Sequence, residues 1–266
     1  MTIGTRELRA SYAFVERNFN LTKRYWGWEV AWLVYSIAGA LAVSFIGVDQ
    51  GNNVLLQTLV IGTIFWNFLS IVFGFIGETV TWERWEGTLE YTFMAPVRRY
   101  THLVGSTLFA LAYALIQMLI ILGVMVLFFD LKFSGGNFVT AGTFVLLGSV
   151  SFVGVGMMAA VLPLLYVERG DQMVFVIQSV ILLFSGVYYE PSVLPDWMQF
   201  VSQFSPGTYV LDGVRQGLIH GKGVADLFHD VWPLVVMGAV LIPLGVYVFG
   251  RAEQYAKRTG KLKRAG

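Results

Sequence analysis

Six long apolar runs, separated by short polar connections, constrain the fold of this sequence more than any other feature. At about 1.5 Å per residue, each run is long enough to cross roughly 30 Å of hydrocarbon as a helix, and the fifth is the shortest. Charged residues make up only 13% of the chain, and the mean hydropathy of +0.66 lies outside the range of soluble domains. The sequence therefore predicts an all-α polytopic membrane protein with six transmembrane helices. The runs lie at residues 30–48, 54–77, 103–129, 138–167, 173–189 and 231–249.

The N-terminal segment, residues 5–26, is polar and amphipathic. Apolar residues recur there at helical spacing between arginines and lysines, so we expect an elbow helix in the plane of the membrane interface. We expect the segment to stay in the mature protein, because the apolar run after it lacks a small-residue cleavage site. The chain then forms one domain, residues 1–266, with the elbow at 1–27, the six-span bundle at 28–250 and a basic tail at 251–266. The apolar positions are Leu8, Tyr12, Val15 and Phe19.

The distribution of arginine and lysine predicts the orientation. Nearly all of these residues lie in the elbow, in residues 78–102 and in the C-terminal tail, whereas the connections on the other side carry few. Because basic residues favour the cytoplasmic side, we expect both termini and the 78–102 segment to be cytoplasmic.

A densely charged stretch, residues 78–105, separates the second and third runs. Its first half contains four glutamates and an arginine, and near its end Pro96 precedes Arg98 and Arg99. Lipid would not tolerate these charges, so the stretch predicts a short docking helix beside the membrane that contacts a soluble partner.

The connection between the fifth and sixth runs, residues 190–223, is too apolar for a solvated loop. Prolines interrupt it too often for one crossing helix, so we expect two short helices that dip into the outer leaflet and cap a pathway. The alternative is an amphipathic external loop that rests on headgroups through Trp197 and Phe200. The candidate gate residues are Pro191, Pro195, Trp197 and Pro206.

Several function classes lack the residues that they need. The middle of each run has no ionisable residue, which disfavours a proton or ion relay. The sequence also lacks a GxxxxGK[ST] phosphate loop, an HExxH motif and cysteine, and its three histidines are scattered. We therefore expect neither an enzyme nor a metal or cofactor site, and the net charge of +1 does not indicate nucleic-acid binding.

Two stretches resemble a known family. The run Glu86-Gly87-Thr88-Leu89-Glu90, followed by Ala95-Pro96-Val97 and then by Gly105 at the next apolar run, resembles the membrane subunits of type-2 ABC exporters. The later stretch PSVLPDWMQFVSQFSPGTYVLDGVRQ is similar to the same family's pattern before its last span.

The resemblance implies a set of partners. Two permease chains would pair, here as two copies, and two separate ATPase subunits carrying ATP and Mg would bind below them in the cytoplasmic (inner) membrane. A coupling helix, here residues 81–93, would seat in each ATPase. The alternative is that its acidic residues only solvate a surface helix. The coupling residues would be Trp82, Glu83, Arg84, Glu86, Gly87, Thr88, Leu89 and Glu90.

Polar and aromatic residues in the second run are candidates for the substrate pathway. An uncharged polar side chain is costly to expose to lipid, so it should face either a pathway or another helix. The family's substrates are amphipathic drugs, lipids or glycans, and the pattern here is closer to the drug-export branch. An ion- or proton-coupled secondary transporter and a non-catalytic scaffold subunit remain alternatives. The candidate pathway residues are Gln57, Phe65, Trp66, Asn67 and Phe73.

Overall fold

The computed structural model describes residues 3–94, 99–131, 133, 135–166 and 168–261. Within these residues all regular structure is helical, which confirms the predicted all-α class. Two short 3-10 helices, Pro191–Val193 and Ala225–Leu227, flank α9 and α10. The α-helices are α1 (Ile3–Arg24), α2 (Trp26–Asp49), α3 (Asn53–Trp85), α4 (Leu89–Met94), α5 (Arg99–Phe129), α6 (Phe138–Ala159), α7 (Val161–Leu165), α8 (Gly170–Phe184), α9 (Asp196–Ser202), α10 (Pro206–Leu218) and α11 (Phe228–Thr259).

Five helical segments of the described chain are long and apolar enough to cross a membrane. They are α2, α3, α5, α6 with α7, and α11, and they correspond to five of the six predicted runs. The remaining run forms α8, an apolar helix of 15 residues that is roughly 22 Å long at about 1.5 Å per residue. It ends at Phe184 rather than near 189, because Gly186 adopts a left-handed φ of 64° and turns the chain.

The second predicted span is longer than expected. Helix α3 continues through the charged residues to Trp85, because Val80 and Glu83 are buried on the same face as the apolar core. The predicted helix over residues 81–93 is therefore divided into the end of α3, a turn and α4. Gly87, with a φ of 72°, makes the turn. The Pro96 and Arg98 positions lie outside the described residues.

Helices α3 and α6 form the centre of the bundle. About two thirds of their most apolar stretches are buried within the chain, 67% for α3 and 61% for α6–α7, against 17% for α2 and 22% for α11. The outer helices α2, α5 and α11 therefore leave apolar faces for lipid or a partner. The largest side chains of the core include Phe68, Phe73, Phe144, Phe152 and Phe249.

Small residues of the fourth span allow close contacts with the neighbouring helices. A Cβ on Gly154 would lie 2.5 Å from the carbonyl carbon of Leu241 in α11, and one on Gly245 would lie 2.5 Å from the Gly154 oxygen. Across the bundle, a Cβ on Gly156 would lie 2.4 Å from the Phe73 oxygen of α3. Helix α6 therefore packs backbone to backbone on both neighbours.

The connection before α11 contains the two predicted short helices, α9 and α10. Val210 and Val214 of α10 are fully buried, and Arg215 donates to the carbonyls of Gly186 at 2.9 Å and Val187 at 2.6 Å. These bonds attach α10 to the turn after α8 and satisfy carbonyls that have left the helix. Its depth in the outer leaflet stays a prediction.

The predicted N-terminal helix is present as α1, and it packs along α5. The Ser11 hydroxyl donates to the Thr101 carbonyl at 3.2 Å, and a Cβ on Gly105 would lie 2.6 Å from the Ser11 oxygen. The third span therefore anchors α1, whereas its position in the interface plane stays a prediction.

We predict that Gly154→Ala lowers the thermal unfolding midpoint of the purified chain. The added methyl would meet the α11 backbone, which cannot rotate away, and such overpacking costs about 1–3 kcal/mol. The matched control is Gly142→Ala on the same helix, where a Cβ has no neighbour within 4 Å. There the substitution should stabilise by about 0.4–1 kcal/mol, and equal midpoints for the two variants would contradict this account of the packing.

Candidate functional site

The candidate site lies where α3 ends, at the same end of the bundle as α1 and the start of α5. We call Arg17, Glu83, Arg84, Glu86 and His102 the charged cluster. It combines residues from three helices and from the turn after α3, and it supports α4 from inside. Its contacts decide which of the predicted coupling residues are buried and which are exposed.

Glu83 is the centre of the charged cluster. Its side chain has 0% exposure, Arg17 Nη1 donates to its Oε1, and His102 Nε2 lies 3.2 Å from the same oxygen. The ring of Phe14 packs edge-on to His102 with centroids 4.7 Å apart. A buried carboxylate needs such partners because it has lost its water, so Glu83 joins α1, α3 and α5.

Arg84 follows Glu83 on α3 and binds different elements. Its guanidinium donates to the Leu164 carbonyl at 2.7 Å and to the Lys261 carbonyl at 2.9 Å. Leu164 lies at the end of α7, and Lys261 follows α11. Because guanidinium groups donate in several directions, one side chain ties the end of α3 to two other elements.

Glu86 and the residues after it form the turn that leads to α4. Glu86 lies 3.8 Å from Arg17 and 3.9 Å from Arg24, and it is partly exposed. The Thr88 N–H donates to the Glu83 carbonyl at 2.8 Å, which satisfies a carbonyl at the end of α3. The left-handed Gly87 is the one position of this turn that favours glycine.

Helix α4 is amphipathic and has a sharp division between its faces. Leu89 and Phe93 are buried at 1% and 2% exposure, whereas Tyr91 is 76% and Met94 71% exposed. Trp85, before the turn, is also exposed. We call Trp85, Glu90, Tyr91 and Met94 the α4 outer face, with Glu90 partly exposed beside the aromatic rings.

The predicted coupling set is therefore divided. Glu83, Arg84 and Leu89 hold the structure together from inside, and Trp82 and Thr88 are partly buried. The inward direction of Glu83 follows from helical spacing, because Ile76, Val80 and Glu83 recur at intervals of four and three residues. Sequence reasoning did not identify Tyr91 and Met94 as site residues. The signal was their spacing from the buried Leu89 and Phe93.

The structure separates the candidate pathway residues. Phe65 and Phe73 lie in the core of the chain at 8% and 1% exposure. Trp66 is partly buried against the main core. Asn67 is also partly buried, and its amide donates to the Ser36 hydroxyl of α2 at 3.1 Å. Asn67 thus holds two helices together, which is the alternative role considered above, and Gln57 is partly buried near the start of α3. A pathway role for these five residues stays a prediction.

The candidate gate residues occupy the ends of the short helices. Pro191 begins a 3-10 helix, Pro195 precedes α9, and Pro206 is the first residue of α10, where its missing N–H is not needed. Trp197 is 65% exposed, and its ring lies 6.5 Å from that of Phe184. The prolines therefore mark helix starts, and a gating role stays a prediction.

Comparison with known proteins identifies related sequences. A family model described as ABC-2 type transporter matches residues 10–219. The probable multidrug ABC transporter permease YbhR of Escherichia coli K12 is 26% identical over 161 residues, which are 60% of this chain and 43% of that protein. The protein of the same name from Escherichia coli O157:H7 has the same identity and coverage. The match thus spans less than half the length of these relatives.

We predict that Glu83→Gln destabilises the bundle by about 3–5 kcal/mol, the usual cost of breaking a buried charge pair. Arg17 would lose its carboxylate while only 26% of its side chain is exposed. Chemical denaturation followed by circular dichroism measures the change. The matched control is Glu90→Gln on the α4 outer face, which should change the free energy of unfolding by less than about 0.5 kcal/mol.

A double-mutant cycle tests the pairing itself. If Glu83 and Arg17 interact as the structure shows, Arg17→Gln should cost far less in the Glu83→Gln background than in the original chain. Additive costs would contradict the pairing.

Proposed function

Because this chain belongs to the family of ABC-2 type transporters, we propose that it is the permease subunit of an ATP-driven exporter in the cytoplasmic membrane. The observation that carries the proposal is the family match over residues 10–219, in a chain whose described residues contain five long apolar helices and one shorter one. The residues of the chain supply the membrane passage, and a partner supplies the energy.

The partner in this proposal is a soluble ATPase that carries ATP and Mg, with two such subunits per complex. The α4 outer face supports the proposal, because it presents an exposed tryptophan, tyrosine and methionine beside a carboxylate. Aromatic residues and methionine are enriched at protein interfaces, so a cluster of this kind fits a surface that a partner covers.

The charged cluster would transmit the partner's movement. A displacement of α4 would move Leu89 and Phe93, which are buried against the bundle, and through them the end of α3. Glu83 connects α3 to α1 and α5, and Arg84 connects it to α7 and the end of α11. These contacts favour rocking of the bundle as a rigid body over local bending of one loop.

A second permease copy and an amphipathic substrate complete the proposed complex. The apolar faces of α2, α5 and α11 leave room for a second copy of this chain as well as for lipid. The relatives' name refers to multidrug transport, which supports an amphipathic, drug-like substrate for this chain. Both termini and α4 would face the cytoplasm.

We predict that Tyr91→Glu abolishes stoichiometric co-purification of an ATPase subunit with the tagged chain. The added charge would stand at the centre of the α4 outer face, where it disrupts an apolar contact while leaving a 76% exposed position easy to solvate. The control is Tyr255→Glu on the last turns of α11, which is 51% exposed at the same end. Retention of the ATPase by Tyr91→Glu, or its absence from the unmodified chain, would contradict the coupling proposal.

We predict that Gly87→Val uncouples the permease from ATP. A β-branched residue cannot hold a φ of 72° without strain, so the turn that positions α4 would shift. The readout is the rate at which maleimide labels a Ser202→Cys variant. The chain has no native cysteine, and Ser202, in α9, is buried at 3% exposure. ATP should raise this rate several-fold in the complex, and Gly87→Val should remove the effect.

The matched control is Gly51→Val between α2 and α3. Gly51 has a φ of 60° and no neighbour within 4 Å of a built Cβ, so it carries the same backbone strain at the opposite end. ATP-dependent labelling should persist in this variant. If both variants lose it equally, strain rather than the α4 turn explains the result.

A further inference from the structure

A small cavity lies between α1, α2 and α3, beside the charged cluster but separate from the α4 outer face. Its volume is about 60 Å³, room for roughly two water molecules at about 30 Å³ each. It stands at the start of α2 and near the end of α3, so it faces the headgroup level of a membrane. Its polar and aromatic lining includes Asn18, Tyr25, Trp28, Glu29, Glu78 and Trp82.

Two carboxyl groups line the cavity, Glu29 from α2 and Glu78 from α3. The Tyr113 hydroxyl donates to one oxygen of Glu29, and the Trp82 indole donates to one oxygen of Glu78 at 3.3 Å. Among the described residues, no lysine, arginine or histidine forms an ion pair with either group. A bound cation would supply the counter-charge that these groups lack.

Arg17 also lines the cavity, but its guanidinium pairs with carboxylates of the charged cluster instead. Its Nη1 donates to Glu83, and its Nη2 lies 3.8 Å from Glu86. The excess charge of the cavity is therefore negative.

Asn18 provides an independent indication of a ligand. Its side chain is nine-tenths buried, at 5% exposure, it lines the cavity, and its Nδ2 has no hydrogen-bond partner among the described residues. A buried amide without a partner costs about 1–3 kcal/mol. An ammonium group only donates, so it is the amide oxygen that can bind it: a half-turn about the Cβ–Cγ bond exchanges Nδ2 for Oδ1, which can accept from a donor that enters beside the carboxylates.

Aromatic rings complete the lining. The rings of Tyr25 and Trp82 lie 5.2 Å apart with an interplanar angle of 31°, and Trp28 stands at the rim, 64% exposed. Aromatic faces attract organic cations, and tryptophan does so most strongly. A metal ion fits less well, because the described residues contain no group of three or more histidine, aspartate or glutamate ligands.

We propose that this cavity binds an alkylammonium group, with Glu29 and Glu78 as counter-charges, Asn18 as a hydrogen-bonding partner and the rings of Tyr25, Trp28 and Trp82 as the aromatic wall. The volume admits an ammonium with one or two carbons and leaves the rest of the molecule outside. The group can come from the headgroup of an aminolipid or from a free amphipathic amine. The site does not depend on ATP coupling or on the identity of the exported substrate.

The test is a titration of the purified full-length chain with ethylammonium chloride, in detergent free of aminolipid and at constant ionic strength against sodium chloride. Tryptophan fluorescence reports binding, because Trp28 and Trp82 line the cavity. We expect a saturable signal whose dissociation constant rises at least tenfold in the Glu29→Gln/Glu78→Gln variant. The matched control is Glu168→Gln, an exposed carboxylate at the same end of the bundle, which should leave the constant unchanged.

A second variant distinguishes a loss of binding from a loss of folding. Trp28→Leu removes a rim ring without burying a polar group, so it should keep the helix content measured by circular dichroism and still weaken binding several-fold. The proposal would be overturned if the unmodified chain showed no saturable binding. It would also be overturned if the carboxylate variant and the tryptophan variant bound ethylammonium as tightly as the unmodified chain does.

Competition then identifies the source of the ammonium. Short-chain phosphatidylethanolamine should displace ethylammonium, and short-chain phosphatidylglycerol should not, if the ligand is a lipid headgroup. If neither lipid displaces it while a free amphipathic amine does, the ligand is a free amine. Displacement by phosphatidylglycerol as effective as by phosphatidylethanolamine would contradict ammonium recognition.

Discussion

The carboxylate of Glu83 is fully buried at the end of a long apolar helix, and a charge in that position persists only because it is paired. Arg17 reaches it from α1 and His102 from α5, so three helices that are distant in sequence meet at one oxygen atom. Removing Arg17 would leave the buried Glu83 carboxylate with only the His102 ring beside it, which is costly for a charge that has lost its water. The orientation of α1, the continuation of α3 past the membrane span and the support beneath α4 all depend on this contact.

The middle of the bundle is held together in a different way. Glycines of α6 bring it against α3 and α11 at backbone distance, with Gly154, Gly156 and Gly245 at the contacts. Such packing relies on shape and dispersion and leaves little freedom to slide. The charged end, in contrast, is held by hydrogen bonds and ion pairs between separate helices. A stiff centre with a polar end supports the rigid-body movement that we propose.

Helix α3 connects the two ends of the molecule. At one end it carries Glu83 and Arg84, and at the other Gly62 lies against the turn at Val187, where a Cβ would meet the Val187 oxygen at 2.1 Å. Arg215 binds the same carbonyl and holds α10 there. The two contact points of α3 are roughly 30 Å apart at about 1.5 Å per residue. Helix α3 therefore runs without interruption from the turn before α4 to the contact that holds α10.

The sequence by itself determined the membrane class, the positions of the apolar helices, the N-terminal helix and the two short helices before α11, because hydrophobic runs, helical spacing and proline act locally. The tertiary structure alone decided which charged residues face inward. Glu83 and Arg84 looked like parts of an exposed docking helix, but their partners come from α1, α5, α7 and the end of α11. The same contacts, with the left-handed Gly87, divide that segment and turn Tyr91 outward. Residues so far apart in sequence leave no local signal of their pairing, and only the packed bundle brings their charges together.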